Sequence, residues 1–416
     1  MPKGKHKKRS ARMDGISDED SFNDNASVAS TISGSTVYED TNISDDMDNN
    51  QQNEIFEDKL SEAIEGMFEK SFQSRVSSFE FVVSALMKRF IPDIVNRRRL
   101  TIIDAIERSL KKGRGSEQAI AAQLAALLCV QLGSTNVIDE ICQNLIPLLL
   151  LIVSDGSMSC IVRAKCCWAL SILNFIGDYD DFDSVMDALR HTFNLSTKHS
   201  SSNSNHNADE ITMHTAALSA WCLLLTVSPS TDSFLLYLQQ IVKLLDSNSV
   251  EIRMAVGEII AVMLEQLRDF GNEIWQPDEN LISKLKELAT DSHKFRAKKD
   301  RKTQRSVFRD IIRYIEDGEF PKMQVRFGQE CLSLDSWRRK KQYDTFRQAL
   351  GSGMNLHLKE NDLLREILNL GNKVTTLPPA LYKQNKIERH VLNVAAFKAR
   401  SICRAKHRDK RIVSIS

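Results

Sequence analysis

Four segments in the middle of the chain resemble one another, and this repetition constrains the fold more than any other feature. Each segment leads into a pair of small residues and continues as an apolar run. The segments begin at Gln118, Arg163, Met213 and Arg253, which are 45, 50 and 40 residues apart. This spacing is close to the period of about 40 to 47 residues that is typical of armadillo and HEAT arrays. Because small residues let neighbouring helices approach closely, the pattern predicts stacked helix pairs with one shared core.

The hydrophobic pattern favours helices over the whole region from residue 54 to residue 290. Apolar residues recur there at three- and four-residue intervals, and strand-like alternation is scarce. Glycines follow several of the apolar segments, where a left-handed residue often ends a helix; they are Gly113, Gly133, Gly177 and Gly271. We therefore predict an all-α fold with an armadillo/HEAT-like α-solenoid domain over residues 54–290. An irregular helical bundle is the alternative.

Charge is distributed unevenly along the chain. The formal net charge is +1. Residues 291–416 contain 29 Lys and Arg against 14 Asp and Glu, whereas residues 1–290 contain 27 against 41. Such asymmetry is typical of a chain with a nucleic-acid-binding end. We predict a basic helical C-terminal domain over residues 291–380, followed by a long basic helix and a short tail over residues 381–416.

The N-terminal region has the composition of a disordered tail. Residues 13–58 contain 13 Asp and Glu and no Lys or Arg, so this stretch buries too little apolar surface to order itself. We predict a disordered, basic-then-acidic tail over residues 1–53. Its basic start is a candidate localisation signal, with a flexible solvated arm as the alternative; the residues are Lys5, Lys7, Lys8 and Arg9.

The cellular compartment of the protein is predicted from sequence features that are missing. The basic start is followed by acidic residues, so the apolar core of a signal peptide is missing. The longest near-continuous apolar run, from Leu145 to Val153, is far shorter than the about 20 residues of a membrane span. Eight cysteines without regular pairs favour a reducing compartment. We expect a cytoplasmic protein that does not bind membranes, with a nuclear pool if the basic start acts as an import signal.

A row of cations near the start of the basic region is the first candidate binding site. Its members are Lys294, Lys298, Lys302, Arg305, Arg309 and Arg313, at intervals of 4, 4, 3, 4 and 4 residues. These intervals place all six on one face of a helix. Self-repulsion along such a row is relieved by the phosphates of a polyanion, which favours an RNA contact. A merely solvated face is the alternative.

The C-terminal end is the second candidate. Residues 383–411 contain ten Lys and Arg against two acidic residues. As one helix they would extend about 43 Å, with cations all round the tip, which favours insertion into an RNA-walled groove. Motifs for base-specific RNA recognition are missing, so we expect recognition to depend on the shape of the RNA and on its phosphates. A solvated tail and an amphipathic membrane helix are the alternatives. The candidate RNA-binding residues are Lys398, Arg400, Arg404, Lys406, Arg408, Lys410 and Arg411.

Catalytic and metal-binding patterns are hard to find in this sequence. Cys160, Cys166 and Cys167 lie close together, but a second ligand pair at zinc-finger spacing is missing, so we expect them to pack in the core. Known combinations of a nucleophile and a base are also missing. We therefore predict a protein that is not an enzyme and that has no cofactor, no metal and no small-molecule substrate.

Several stretches of the sequence resemble the interferon-related developmental regulator family. The resemblance spans residues 55–411. The stretches that carry it are Arg98-Arg99-Leu100-Thr101, Asp104-Ala105-Ile106-Glu107-Arg108, Leu288-Ala289-Thr290-Asp291, Gln304-Arg305-Ser306-Val307-Phe308-Arg309, Leu350-Gly351-Ser352-Gly353-Met354 and Asn393-Val394-Ala395-Ala396-Phe397-Lys398-Ala399-Arg400.

The resemblance implies an armadillo-like helical domain, a family-specific C-terminal domain and no catalytic activity. It implies two alternative roles. One is binding to translationally inactive ribosomes, through rRNA at the tRNA sites and with the last helix in the mRNA path, which represses translation. The other is nuclear transcriptional co-regulation during differentiation, through co-repressor proteins bound to the groove of the helical repeats.

Overall fold

The computed structural model describes residues 49–133, 136–177, 179–199, 207–228, 232–269, 277–290 and 298–373. Internal contacts divide the chain into two units, Met1–Ile55 and Phe56–Ser416. The described part of the first unit is the start of a helix at Asn49, which precedes the predicted domain boundary at residue 54. All packing described below lies within the second unit.

The described residues form fifteen α-helices and one short β-hairpin. The helices are α1 (Asn49–Gly66), α2 (Phe72–Lys88), α3 (Pro92–Lys112), α4 (Ser116–Leu132), α5 (Asn136–Ser154), α6 (Cys160–Ile176), α7 (Phe182–His199), α8 (Ala208–Leu225), α9 (Asp232–Lys243), α10 (Val250–Asp269), α11 (Glu279–Thr290), α12 (Lys298–Asp317), α13 (Trp337–Leu350), α14 (Met354–Glu360) and α15 (Asp362–Ile367). The strands are β1 (Met323–Phe327) and β2 (Glu330–Leu334).

The four similar segments form the inner row of a helical solenoid. They lie on α4, α6, α8 and α10, which we call the inner helices, and each inner helix packs against the next. Helices α3, α5 and α7 form a second row, in which each helix packs against the inner helix that follows it in the chain. Small side chains of the repeated segments, such as Ala121, Cys166 and Ala217, are completely buried. The predicted all-α solenoid is therefore confirmed.

The glycines that end helices do so for different reasons. Gly133 has φ of +74°, so the predicted left-handed residue is present there. The prediction is wrong for Gly113 and Gly177, whose φ values are −70° and −94°. At Gly177 the reason for glycine is space, because a Cβ atom there would lie 2.5 Å from Sγ of Cys142. Gly271 lies outside the described residues.

The hairpin corrects the prediction of a purely helical segment over residues 291–380. Strand β1 pairs antiparallel with β2, and Gly328 in the turn between them has φ of +58°. Val325, Phe327 and Leu332 face the core side, whereas the residues between them are exposed. This alternation with a period of two residues is the usual signal of a half-buried strand, and it is present in the sequence.

Residues 323–373, which we call the closing segment, return across the inner helices. The segment contains the hairpin, α13, a 3-10 turn at Gly351–Gly353, α14 and α15. Helix α13 contacts α10, α8 and α2, and Phe346 on it packs edge-on against Phe175 of α6 at a centroid distance of 5.9 Å. Beyond it, Asn361 Nδ2 donates to the carbonyl of Val130 at the end of α4 (2.8 Å). The closing segment thus links helices from both ends of the solenoid.

One described helix has the length and composition of a membrane span. It is α5, over Val137–Ser154, of which 44% is buried. Its inward-facing residues Ile138, Leu145 and Leu149 are completely buried in the core. Helix α5 therefore serves as a packed helix of the solenoid.

Candidate nucleic-acid interface

Helix α12 is positioned by one strongly apolar side. Phe308 and Ile311 on this side are completely buried, and α12 packs against α10 and α11. A Cβ atom at Gly257 of α10 would lie 3.0 Å from both side chains, so this glycine lets the two helices approach closely. Gln304 adds a buried polar connection, since its Nε2 donates to the carbonyl of Leu288 (3.2 Å) and its Oε1 accepts from Arg253. These contacts fix the rotation of α12 about its axis.

The rotation of α12 turns four of the predicted cations to its outer flank. We call Lys302, Arg305, Arg309 and Arg313 the α12 basic stripe. Lys302, Arg309 and Arg313 are exposed, and Arg305 is half-buried with Nε donating to the carbonyl of Arg301 (3.3 Å). Among the described residues, none of the three arginines forms an ion pair.

Two acidic side chains of α12 lie near the stripe in the sequence. Burial raises the pKa of the carboxyl group of Asp310, although nearby Arg313 acts in the opposite direction. Glu316, in the last turn, pairs with Lys286 of α11 (2.7 Å). Neither carboxylate forms an ion pair with an arginine of the stripe.

The stripe has dimensions that suit a phosphate backbone. From Lys302 to Arg313 it extends about 16 Å at a rise of 1.5 Å per residue. A nucleic acid strand carries one phosphate per about 3.4 Å of helix axis, so several phosphates would lie along the stripe. A guanidinium group can donate two parallel hydrogen bonds to the oxygens of one phosphate, and the stripe contains three arginines with this group. The stripe contains no aromatic side chain for base stacking.

The other predicted binding residues lie outside the description of the structure. Lys294 precedes α12, and the position of Lys298 is described only for its backbone at the start of the helix. The remainder lie before residue 49 or after residue 373; they are Lys398, Arg400, Arg404, Lys406, Arg408, Lys410, Arg411, Lys5, Lys7, Lys8 and Arg9. Their predicted roles stay predictions.

Several cations of the basic region are neutralised within the protein, which the charge count did not reveal. Lys340 on α13 pairs with Asp344 (2.7 Å) and with Glu258 of α10 (3.5 Å). Lys341 approaches Glu258 (3.6 Å) and donates to Ser219 Oγ (2.7 Å). Although burial acts to raise it, the pKa of Glu258 is lowered by the two lysines. These cations attach α13 to the inner helices and are not available to a polyanion.

A second acidic residue of α10 holds the start of α13. The carboxylate of Glu265 accepts hydrogen bonds from the backbone N–H groups of Trp337 (2.9 Å) and Arg338 (2.8 Å). Arg338 also pairs with Glu265 and with Asp269. A carboxylate at a helix N-terminus is favourable because it compensates the unpaired N–H groups and the helix dipole. The partners are about 70 residues apart in the chain, so no local sequence signal identified them.

Cysteines of the inner helices have a structural role. Cys166 and Cys167 are completely buried, as predicted, and burial raises the pKa of Cys167 to about 12. In the part of the chain that the structure describes, His, Cys, Asp and Glu side chains do not form groups of three or more that could hold a metal ion.

Comparisons with known proteins agree with the sequence resemblance. Residues 25–316 match the family described as "Interferon-related developmental regulator", and residues 361–412 match the "Interferon-related protein conserved region". Interferon-related developmental regulator 2 of Mus musculus is 40% identical over 389 residues, covering 91% of this chain and 88% of that protein. Interferon-related developmental regulator 1 of Sus scrofa is 38% identical over 405 residues, covering 94% of this chain and 90% of that protein.

The human relative and one solved structure complete the comparison. Interferon-related developmental regulator 1 of Homo sapiens is 36% identical over 405 residues, again covering 94% and 90% of the two chains. A crystal structure of an engineered protein aligns with a TM-score of 0.41 at 12% identity, covering 63% of this chain and 98% of that chain, which is too low a score to bear on the fold. From the family match and the near full-length relatives, the chain belongs to the interferon-related developmental regulator family.

Proposed function

We propose that this protein is a non-enzymatic ribosome-binding protein that represses translation. In this proposal the α12 basic stripe contacts rRNA phosphates near the tRNA sites, and the basic C-terminal end, from Lys398 to Arg411, occupies the mRNA path of inactive ribosomes. The relatives are named as developmental regulators and not as enzymes. Repression would be steric, because a ribosome that holds the protein has no room for a message.

The observation that carries the proposal is that the three arginines of the α12 basic stripe form no ion pair with described residues. Several other cations of the basic region, such as Lys340, Lys341 and Arg365, are paired with carboxylates of the inner helices or of the closing segment. The stripe keeps three arginines without ion pairs on a helix whose orientation is held by buried contacts. Phosphate binding releases counterions and relieves the repulsion among these arginines, so RNA is the partner that this surface fits best.

Neutralising the stripe is expected to weaken ribosome binding in a salt-dependent way. In a variant with Arg305→Gln, Arg309→Gln and Arg313→Gln, the slope of log affinity against log salt should become shallower by about three, one for each lost phosphate contact. The measurement is co-sedimentation of the full chain with purified ribosomes between about 50 and 200 mM salt.

A matched control separates the effect of the stripe on ribosome binding from the effect of net charge. Lys70, Lys112 and Arg114 are exposed, form no ion pair with described residues and lie outside α12. Changing these three to Gln removes the same charge and should leave the salt slope unchanged. Equal slopes for the two triple variants would contradict the role of the stripe.

The C-terminal end can be tested apart from the stripe. A chain that ends at Pro379 keeps all the described elements and lacks the proposed mRNA-path segment. It should still sediment with ribosomes through the stripe, but it should no longer compete with a labelled messenger fragment. Competition as strong as that of the full chain would show that the C-terminal end does not occupy the mRNA path.

A nuclear transcriptional co-regulator is the second candidate, in which the solenoid binds a partner protein. It is favoured by one observation, an open groove on the inner helices beside α13. Cell fractionation distinguishes the two functions. A ribosome-binding protein should follow RNase-sensitive heavy particles, whereas a co-regulator should follow chromatin complexes in the nuclear fraction.

A further inference from the structure

The inner helices carry an open groove that α13 leaves uncovered. The groove has a volume of about 540 Å³, and we call it the inner groove. It is lined by residues of α4, α6, α8, α10 and α13, among them Lys165, Trp168, Thr212, Thr215, Glu251 and Gln348. The closing segment contacts the C-terminal ends of the inner helices, whereas this groove lies over their N-terminal halves. Its size is within the range of ligand-binding sites.

The inner groove is lined by both small and amide side chains. Ala164, Ala208 and Ala216 line it, so another main chain can approach the helices closely. Gln123 of α4 and Gln348 of α13 supply amide groups on its sides. Amides that face an open groove can exchange hydrogen bonds with the backbone of an extended peptide, independent of its sequence.

Two polar groups that line the inner groove have no hydrogen-bond partner among the described residues. They are the indole Nε1–H of Trp168 and the hydroxyl of Thr215, both shielded from solvent. Buried polar groups in folded proteins are nearly always paired, so an unpaired donor and an unpaired hydroxyl in one groove require an explanation. A ligand that brings carbonyl or carboxylate oxygens would provide partners.

Two charged side chains of opposite sign line the inner groove, Lys165 and Glu251. Lys165 is the one cation among the described lining residues, and it forms no ion pair with another described residue. Its side chain keeps considerable exposed surface, yet burial of the charged group lowers its pKa. Glu251, which also lines the groove, accepts a hydrogen bond from Ser249 Oγ (2.6 Å), which lowers the pKa of its carboxyl group and keeps it negatively charged. Of the two charged lining residues, Lys165 is therefore the one that a carboxylate of a ligand could pair with.

We propose that the inner groove binds an extended peptide of a partner protein, with an acidic side chain that pairs with Lys165. An adjacent apolar side chain of the peptide would pack against Trp168, and the peptide backbone would use the amides of Gln123 and Gln348. One cation is too few for a phosphate backbone, whose binding depends on many such contacts. The site is separate from the α12 basic stripe, so this proposal does not rest on ribosome binding; it rests on the second candidate function, in which the solenoid binds a partner protein at this groove.

Selection from a library of random heptapeptides displayed on phage tests the proposal with the full chain. Enriched peptides should contain Asp or Glu beside an apolar residue. With Lys165→Glu, the selection should change to peptides with Lys or Arg. The affinity of the first acidic peptide, remade synthetically, should fall by about tenfold or more, since a charge-assisted hydrogen bond is lost and a repulsion is added. Lack of enrichment, or enrichment of the same acidic peptides by the Lys165→Glu variant, would overturn the proposal.

Two further variants locate the binding site. Thr212 is exposed at the edge of the inner groove, so Thr212→Trp should fill the groove without disturbing the core and should abolish enrichment. Lys70→Glu adds the same charge change as Lys165→Glu at a distant exposed position and should keep the acidic preference. If Lys165→Glu reduces ribosome co-sedimentation as much as the stripe variant does, the groove belongs to an RNA surface and the peptide proposal is wrong.

Discussion

Replacing Arg365 with methionine should lower the free energy of unfolding by about 3 to 5 kcal/mol, the usual cost of removing one partner from a buried ion pair. Arg365 is 3% exposed and donates with Nη1 and Nη2 to the two carboxylate oxygens of Glu330 (3.1 and 2.7 Å). It also donates to the carbonyls of Leu358, Leu370, Gly371 and Asn372. Methionine would leave a shielded carboxylate and four carbonyls without this donor.

Two comparisons make the Arg365 result interpretable. Lys373 also forms an ion pair, with Asp362 (2.7 Å), but both side chains are well exposed, so Lys373→Met should cost less than about 1 kcal/mol. Adding Glu330→Leu to Arg365→Met should recover part of the loss, because the unpaired carboxylate is then removed. Chemical denaturation of the full chain provides the measurement. Equal effects of Arg365→Met and Lys373→Met would show that the Arg365 pair does not hold the closing segment.

Gly353→Ala is the second change with a large expected effect. It should lower the free energy of unfolding by about 3 kcal/mol, which is at the upper end of the usual cost of overpacking. The backbone of Gly353 is ordinary, with φ of −79°. Its neighbour explains the glycine, since a Cβ atom would lie 1.8 Å from the carbonyl oxygen of Met87 and 2.8 Å from its carbon. Both atoms belong to the backbone of α2 and cannot rotate away, so the 3-10 turn would have to separate from α2.

Gly156 provides the matched control for Gly353. A Cβ atom at Gly156 would meet no other atom within 4 Å, and its φ is not positive. Gly156→Ala should therefore change the stability by no more than about 0.5 kcal/mol. Hydrogen exchange should show faster exchange for Gly353→Ala at the C-terminal end of α2 and in α14. Uniform protection in that variant would mean that the close approach is not needed for docking.

The solenoid and the α12 basic stripe were predictable because both depend on local spacing. Small residues such as Ala121 and Ala217 recur at a repeat-like period, and the period alone indicates stacked helices. The intervals from Lys302 to Arg313 likewise place four cations on one helix flank. The buried residues Phe308 and Ile311 lie on another side of the same helix, so the apolar pattern already indicated which flank faces water.

The closing segment was not predictable because its partners are distant in the sequence. Glu258 neutralises Lys340 and Lys341, and Val130 accepts from Asn361, but local patterns do not connect these positions. The basic excess counted over residues 291–416 therefore includes several cations that hold α13. Gly353 shows the same limit, since its close approach to the backbone of α2 has no local sequence signal.

The closing segment also determines how the chain acquires its structure. In an open array of helix pairs each pair contacts only its neighbours, so folding can begin anywhere and ends can fray independently. Here Asn361 bonds to Val130 across 231 residues, and Gly353 lies against α2. Such distant contacts raise the contact order and slow the search for the native state. In return, helices at opposite ends of the array share one cooperative transition, and a newly synthesised chain gains its final stability only after residue 373 has left the ribosome that made it.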